Sequence, residues 1–556
     1  MNRTLIRLAG FGLLTAAAPA QSTLFEIDGD GQNDRFGNSV SPAGDVDNDG
    51  VEDFVVGAPE NGNVFSGGTG YARVYSGVDA SVLLTISGVG GAIAFGNSVA
   101  GVGDLNGDGH GDIAVGAPFE DGPGLSRGRI YVYSGIDGSL IRTFTGVVDG
   151  GRLGHTVASA GDANGDGVPD IAGCAFNSDV NGLNTGTVVV WSGATGSELQ
   201  RHEGNDNNAH LGVSMSCVGD ANGDGRDDLL VGGEAGPVYL FSGATGSTLR
   251  TYSSPSSSDL FGSSVAGLGD LTGDGFPEVL IGAPQNSVFG SSAGYARVLN
   301  GSTGQLIDEF VGDQVGNQFG YAVAPAGDHD GDGTLDYLVG APGSSQQNTP
   351  GYARVYSGAN GAILRVFIGE DDSSRIGAAV TCLGDLHGDG STEIVIAEPD
   401  AGTPGVFSGQ IEVFSGSAPV CGAPANFCLS LPNSSGQAGA ITFTGSSSVA
   451  ANDLVLHASA CPPGQFGLFF YGSTQVFVPF GSGIRCVGGQ LFRLQPPQTV
   501  DGSGSASLAL DINAPANPLG QVSVGQTWNY QFWFRDPGDG GAGTNQTDGL
   551  EVTFCP

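Results

Sequence analysis

Asp45-Val46-Asp47-Asn48-Asp49-Gly50-Val51-Glu52-Asp53-Phe54-Val55-Val56-Gly57-Ala58-Pro59 is the stretch that decides the fold. Its first nine residues follow the pattern D-x-[DNTH]-x-D-G-x-x-[DE]. The same pattern starts again at Asp104, Asp162, Asp220, Asp270, Asp328 and Asp385, at intervals of 50 to 59 residues. Self-similarity at a fixed period marks a repeat architecture, in which each copy is one supersecondary unit that buries its apolar faces against its neighbours. The segment after each acidic loop is a short apolar run rich in β-branched residues and closed by Gly and Pro, such as Phe54–Pro59 or Ile113-Ala114-Val115-Gly116-Ala117-Pro118. Runs of this kind read as buried strands.

The loop chemistry points to a hard divalent cation. Carboxylates at positions 1, 3, 5 and 9 converge if the backbone curls about a centre, position 7 can add a main-chain carbonyl, and Gly at position 6 permits the turn. Ca²⁺ takes six to eight oxygens at about 2.3–2.6 Å, whereas Zn²⁺ prefers Cys and His in tetrahedral sets. An EF-hand opens with the same letters but needs Glu at position 12 and flanking helices; position 12 here is Val56, Val115, Gly173, Val231, Ile281, Val339 and Ile396. The first loop therefore offers Asp45, Asp47, Asp49, Val51 and Asp53. The second offers Asp104, Asn106, Asp108, His110 and Asp112; the third Asp162, Asn164, Asp166, Val168 and Asp170; the fourth Asp220, Asn222, Asp224, Arg226 and Asp228. The fifth offers Asp270, Thr272, Asp274, Phe276 and Glu278; the sixth Asp328, Asp330, Asp332, Thr334 and Asp336; the seventh Asp385, His387, Asp389, Ser391 and Glu393. Five to seven bound Ca²⁺ ions are expected, with the fifth and seventh loops weakest because Thr272 and His387 replace an acid or amide. The competing reading is that some of these acids only cap tight Asx turns.

Phe-Gly or a similar pair precedes each loop, and Gly-Ala-Pro or a variant follows it: Phe36-Gly37, Phe95-Gly96, Phe261-Gly262 and Phe319-Gly320 lead to Gly57-Ala58-Pro59, Gly116-Ala117-Pro118, Gly282-Ala283-Pro284 and Gly340-Ala341-Pro342. This resembles the FG-GAP repeat of the integrin α-subunit β-propeller, with its calcium-binding hairpin loops. The third (Leu153-Gly154, Gly173-Cys174-Ala175), fourth (Leu211-Gly212, Gly232-Gly233) and seventh (Ile376-Gly377, Ala397-Glu398-Pro399) copies depart at the flanking words. A further strand ends each unit's third segment in aromatic-Ser-Gly, as in Tyr71-Ala72-Arg73-Val74-Tyr75-Ser76-Gly77, and a fourth follows, as in Ser139-Leu140-Ile141-Arg142-Thr143-Phe144. Four strands per repeat is the content of a propeller blade. The expected fold is all-β: a seven-bladed β-propeller of FG-GAP repeats over residues 21–416, followed by a small β-sandwich-like domain over 417–556. The seventh repeat lacks a fourth strand, and Thr23-Leu24-Phe25-Glu26-Ile27 is the spare strand expected to complete it and remove the open edge. Hairpin alternation puts the acidic loops and Ser-Gly turns on one face. It puts the variable loops 60–70, 119–128, 177–186, 285–294, 343–351 and 400–409 on the other, where binding on a rigid scaffold usually resides.

Composition bounds the partners. All 18 basic residues are arginine, and the formal charge is −39, which argues against nucleic acid and anionic membrane. Self-repulsion should weaken the metal-free chain, since binding and folding are linked. Residues 1–20 read as a secretory signal: Arg3 and Arg7, an apolar stretch from Leu8, and Ala18-Pro19-Ala20 before Gln21. The alternative is an N-terminal anchor, and no other segment is long enough to span a membrane.

Beyond residue 416 the repeat stops. Apolar or alternating runs at Leu454-Val455-Leu456, 468–471, 475–480 and 528–534 suggest a compact β-sandwich. Cys421, Cys428, Cys461, Cys486 and Cys555 lie here, an odd number whose pairing is not deducible; Cys174, Cys217 and Cys382 read as buried propeller thiols. Gly467-Leu468-Phe469-Phe470-Tyr471 and Trp533-Phe534-Arg535-Asp536-Pro537 resemble the C-terminal β-domain of large secreted proteins of planctomycete-like bacteria. None of the seven His residues sits in a nucleophile motif. The resemblance implies a secreted or cell-surface calcium-binding recognition module for an extracellular protein or glycan on the face opposite the acidic loops. The alternative is a polysaccharide- or lipid-degrading enzyme with a cryptic site there, for which Glu120 or Asp121 would be the acid; Arg127 and Arg129 are the candidates for an acidic glycan. Asn300, Asn433 and Asn545 head glycosylation sequons.

Overall fold

A computed structural model describes residues 23–553 except 61–68, 89–93, 122–123, 235, 255–258, 285–292, 314–315, 331–332, 344–350, 370–373, 389–390, 403–406, 417–424, 429, 446, 448–453, 490, 511–526 and 539–542. The expected signal segment 1–20, the acids Asp332 and Asp389, and Cys421 and Cys555 lie outside the described residues. Among those described, every regular element is a β-strand. The chain divides into two compact units, Ser22–Ser417 and one containing Ala418–Pro556.

The first unit is an all-β propeller. Its described strands make seven four-stranded antiparallel sheets, six of them running in chain order from one repeat. The remaining sheet combines Ala379–Gly384, Glu393–Glu398 and Gln410–Phe414 with Thr23–Asp28, which pairs antiparallel to Gln410–Phe414. The first strand of each sheet lies against the first strand of the next, and Ala379–Gly384 lies against Ser39–Gly44. Second strands such as Asp53–Ala58 and Asp112–Ala117 are buried along their whole length, because a neighbouring sheet covers each face. That is why they read as unbroken apolar runs rather than as alternating ones. Outer strands such as Val82–Ser87 keep only one buried position.

The two words that flank each acidic loop are the two halves of the seam between sheets. Phe-Gly forms the centre of a β-turn: the N–H of Asn38 donates to the carbonyl of Arg35 at 3.0 Å, and that of Tyr321 to Gln318 at 3.1 Å. The glycine takes φ of +86° at Gly37 and +85° at Gly320, the value required of the third residue of a type II turn. The aromatic or aliphatic partner is buried between two sheets; Phe36 packs with Phe54 and Tyr75 of its own sheet and Ile411 and Val413 of the last. Full burial of such a side chain contributes about 2–3 kcal/mol. Gly-Ala-Pro supplies the matching surface. A Cβ on Gly57, Gly116, Gly282 or Gly340 would run into the carbonyl oxygen of Gly96, Gly154, Gly320 or Gly377, the turn glycine of the following repeat.

The seam between the last and first repeats uses the same bonds as the internal ones. Phe36 N–H donates to Ser408 O at 3.0 Å, as Leu153 does to Arg127 O at 2.9 Å and Phe319 to Ala293 O at 3.1 Å. The third repeat differs from its sequence alignment. Cys174, paired with Thr156, stands where every other repeat but the last, which has Ala397, carries the seam glycine, so the flanking word is Cys174-Ala175-Phe176. The Cys174 thiol is within 3.4 Å of Leu211 O, and the bulkier residue fits because its sulfur packs on the neighbouring turn. Cys174 is fully buried, while Cys217 and Cys382 are only half-buried, less than their apolar context suggests.

In the second unit one sheet is centred on Phe466–Gly472 and Thr527–Arg535, and a three-stranded sheet combines Ala440–Thr444, Val455–Ser459 and Ala506–Ala509. Ile441 and Leu456 of the smaller sheet share a core with Phe469, Tyr530, Phe532 and Leu550 of the larger. This is face-to-face packing of two sheets. A disulfide joins Cys428 to Cys486, and Cys461 is a buried free thiol.

The seam yields a test. Gly282→Ala is expected to cost about 3 kcal/mol by overpacking against Gly320. Ala397→Gly, which removes the Cβ at the equivalent place in the last repeat, is expected to cost about 1 kcal/mol or less. Thermal melting of the intact chain in calcium distinguishes the two; equal losses would show that the glycine is not what the seam requires.

Candidate metal loops and the opposite end of the inner strands

Each acidic loop leaves its sheet at the end of the first strand. Position 1 organises it. Asp45 accepts from the N–H of Asp49 and Gly50 at 3.0 Å each, and Asp104, Asp220 and Asp270 do the same for their loops. Position 5 accepts from the N–H of position 7, Asp49 from Val51 at 2.9 Å and Asp274 from Phe276 at 3.0 Å. These bonds hold the backbone in a curl with its carboxylates on the concave side.

Three loops bring acids together closely enough for one ion. Asp45, Asp47 and Asp49 form one group, Asp270, Asp274 and Glu278 a second, and Asp328, Asp330 and Asp336 a third, each offering oxygens within 4.8 Å of one another. Oxygens on opposite sides of a Ca²⁺ ion lie about 5 Å apart, so each cluster has the span and the all-oxygen chemistry that such a cation takes. The second, third and fourth loops carry Asn106, Asn164 and Asn222 at position 3, and no such cluster of acids is found among their described residues. In the seventh loop His387 faces Glu393, Nδ1 to Oε1 at 3.7 Å.

Position 9 has a second task that the sequence pattern did not disclose. All seven of these acids are fully buried. Asp53 accepts from Val46 N–H at 2.7 Å inside its loop and from Gly77 N–H at 3.0 Å in the Ser-Gly turn. Asp112 does so with Leu105 and Gly135, Asp228 with Ala221 and Gly243, and Asp336 with His329 and Gly358. The acid therefore clips the loop to the turn after the third strand. The turn residue is glycine because a Cβ on Gly77 would strike the Glu52 carbonyl. The co-occurrence of Ser-Gly with every loop but the fifth was the available signal. Burial pushes Asp53, Asp112, Asp170, Asp228 and Asp336 up to about 6. In the fifth repeat Asn300 replaces the serine and donates to both Asp274 and Glu278 at 2.8 Å.

Loops are tied to one another as well. His110 Nδ1 lies 2.7 Å from Val46 O of the preceding loop, and His329 Nδ1 lies 3.2 Å from Thr392 O of the following one. These bonds account for two of the histidines. Other sequence candidates are also committed to structure. Glu120 is buried and bonded to Arg129 and Tyr131, Asp121 accepts from Ser126 N–H, and Arg127 pairs with Asp149. Each of these residues has a structural partner. Asn300, Asn433 and Asn545 are all buried, at 7%, 5% and 0% exposure, so the folded chain presents none of them as an acceptor.

The opposite end of the inner strands carries a feature that sequence reading missed. The residue after each Phe-Gly or equivalent is Asn38, Asn97, His155, Val213, Ser263, Tyr321 and Ala378, and together they line a cavity of about 540 Å³. The repeat holds the turn constant and changes this one side chain in most copies. Asn38 and Asn97 each donate Nδ2 to the next copy, to Asn97 O at 2.9 Å and His155 O at 3.0 Å. Phe176, at the place of a Pro, stacks between His155 and His210 with ring centroids 4.1 Å apart on both sides.

With this geometry in hand, the repeat can be matched to known families. The FG-GAP repeat model matches residues 36–75 and 95–133, and the FG-GAP-like repeat model matches 220–281. The chain carries FG-GAP repeats, and its propeller is integrin-α-like. It is 35% identical over 216 residues to integrin alpha-5 of Xenopus laevis (35% of this chain, 20% of that one). It is 33% identical over 221 residues to integrin alpha-8 of Mus musculus (35% and 19%) and 35% identical over 164 residues to integrin alpha-E of Mus musculus (26% and 14%). The chain thus spans about a fifth or less of the length of these relatives.

The clip and the ligands are separable. Asp53→Ala leaves two buried N–H groups unpaired and is expected to cost about 3 kcal/mol in chelator and at least as much in calcium. Asp47→Ala, at an exposed position, is expected to lose stability only in calcium. Melting of both variants under both conditions checks this; a loss for Asp53→Ala that disappears in chelator would make it a ligand and nothing more.

Proposed function

We propose that this chain is a secreted or cell-surface calcium-binding β-propeller that serves as an adhesion or recognition module for an extracellular protein or glycan. In this reading residues 1–20 are the export signal, 21–416 close into a seven-bladed ring and 417–556 form an accessory β-sandwich. The observation that carries it is the division of each inner strand. One end leads into an acidic loop, and three of these loops have the span for a divalent cation; the other end presents a residue that varies from copy to copy around a shared cavity.

Ca²⁺ would be held by the carboxylates at positions 1, 3, 5 and 9, with the position 7 carbonyls as further donors. It would supply positive charge, offsetting part of the −39 formal charge and the cost of the buried position 9 acids. It fixes the loops and takes no part in recognition. The fold relatives are integrin α chains, and among the described residues no helix is long and apolar enough to cross a membrane. Both are compatible with an extracellular place. Elemental analysis is expected to find five to seven calcium ions per chain, and calcium is expected to raise the melting temperature by well over 10 °C, since each site at 1,000 times its Kd would add about 4 kcal/mol of linkage free energy and five to seven such sites would act together. Two ions or fewer and no shift would sink the calcium reading.

A further inference from the structure

Within the recognition reading, on which the following rests, we infer that the cavity ringed by the Phe-Gly turns is the ligand site and that it takes a neutral saccharide. Its volume of about 540 Å³ falls within the range of about 300–1,000 Å³ usual for small-ligand sites. The lining chemistry then decides among ligand classes.

The lining is polar, and its acid and its guanidinium each have a partner within the protein. Its acid, Glu234, already faces His210, with Oε2 2.7 Å from Nδ1. Its guanidinium, Arg375, pairs with Asp400 at 3.7 Å, and Asp400 also faces Arg35 at 3.5 Å. His155 is neutral, because burial pushes it down to about 4. A cationic ligand would find the one carboxylate taken, and an anionic ligand would find the one cation taken while approaching a chain of charge −39. An apolar ligand would strip water from the Asn38 and Asn97 amides and the Thr156 and Ser263 hydroxyls, each of which makes one bond to a backbone carbonyl and keeps further donor or acceptor capacity.

What remains is a neutral molecule rich in hydroxyl groups that also has an apolar face. The cavity supplies both complements. The Asn38 and Asn97 amides are fixed in orientation by their bonds to the next repeat. Tyr321 is 38% exposed, and the Arg375 guanidinium lies over one face of its ring, 5.4 Å from the centroid. A ring held on one face is a rigid platform, and the C–H face of a sugar can rest on the other at low entropic cost. The site is incomplete in any single repeat, since its polar groups come from all parts of the ring; this explains why one position varies while the surrounding turn does not.

The test uses the full chain in calcium, an array of neutral and acidic oligosaccharides and a panel of immobilised extracellular matrix proteins. The best binder is then titrated calorimetrically against Tyr321→Ala, which removes the platform, and Ala378→Trp, which fills the cavity, with Arg127→Ala as a control away from it. Melting in calcium confirms that each variant is folded. The expected result is binding of a neutral saccharide that weakens about tenfold or more in both cavity variants and is unchanged in the control. Saccharide binding that survives Ala378→Trp, a preference for acidic saccharides, or protein binding indifferent to the cavity variants would overturn the inference while leaving the recognition reading in place. Failure to bind any saccharide or protein would overturn both.

Discussion

The contact on which this propeller depends is a backbone approach with no side chain between. The glycine of Gly-Ala-Pro in one repeat abuts the carbonyl of the turn glycine in the next, so that a Cβ at Gly57, Gly116, Gly282 or Gly340 has no room. At the glycine seams both partners lack side chains at the point of contact, whereas Cys174 and Ala397 place a side chain there. The buried Phe, Leu or Ile of each turn then fills the wedge between adjacent sheets. The repeat word is thus a packing rule: one glycine turns the chain, the other admits the neighbour, and the aromatic ring sets the spacing. Cys174 shows the tolerance of the rule, since its sulfur occupies the gap and the seam persists with a different filler.

A second constraint is electrostatic and is set by the first. Sheets packed on both faces have buried second strands, and each of these begins with the position 9 acid. That acid is fully buried, and burial disfavours its charge. Two backbone N–H donors from the loop and the Ser-Gly turn compensate in part. A divalent cation held by the outer acids of the loop would compensate further. The loop therefore reads as more than a metal site appended to a hairpin, because the same carboxylate fastens two successive turns of the sheet whether or not the ion is bound.

Much of this was legible in the sequence because the decisive residues are punctuation. Periodic Asp and Gly, β-branched runs and a recurrent aromatic-Gly pair each have few physical readings, and together they permit one architecture. The misreadings have a common cause. The third flanking word was placed one residue early because Gly173 looks like the missing seam glycine, whereas strand register puts Cys174 there. Glu120 and Arg129 looked available for chemistry because sequence cannot show that they face each other and Tyr131. Position 9 looked like a ligand alone because its partners are backbone N–H groups, which carry no letter. Pairings between groups distant in sequence or anonymous in it are what the three-dimensional structure adds.

The same logic explains why the varied ring escaped notice. Asn38, Asn97, His155, Val213, Ser263, Tyr321 and Ala378 share no property that a pattern could match; what they share is a position, one residue past a turn that cannot change. A repeat protein that must keep its seams identical can diversify only where a side chain points away from every seam. At the acidic end that freedom is absent, since the loops are fixed by their own hydrogen bonds and by the clip to the Ser-Gly turn. The start of each inner strand is left, where the turn fixes the backbone and frees the next side chain. Binding specificity in this architecture is therefore expected to reside where the fold imposes least, and the constraint that builds the ring also determines where its ligand can be read.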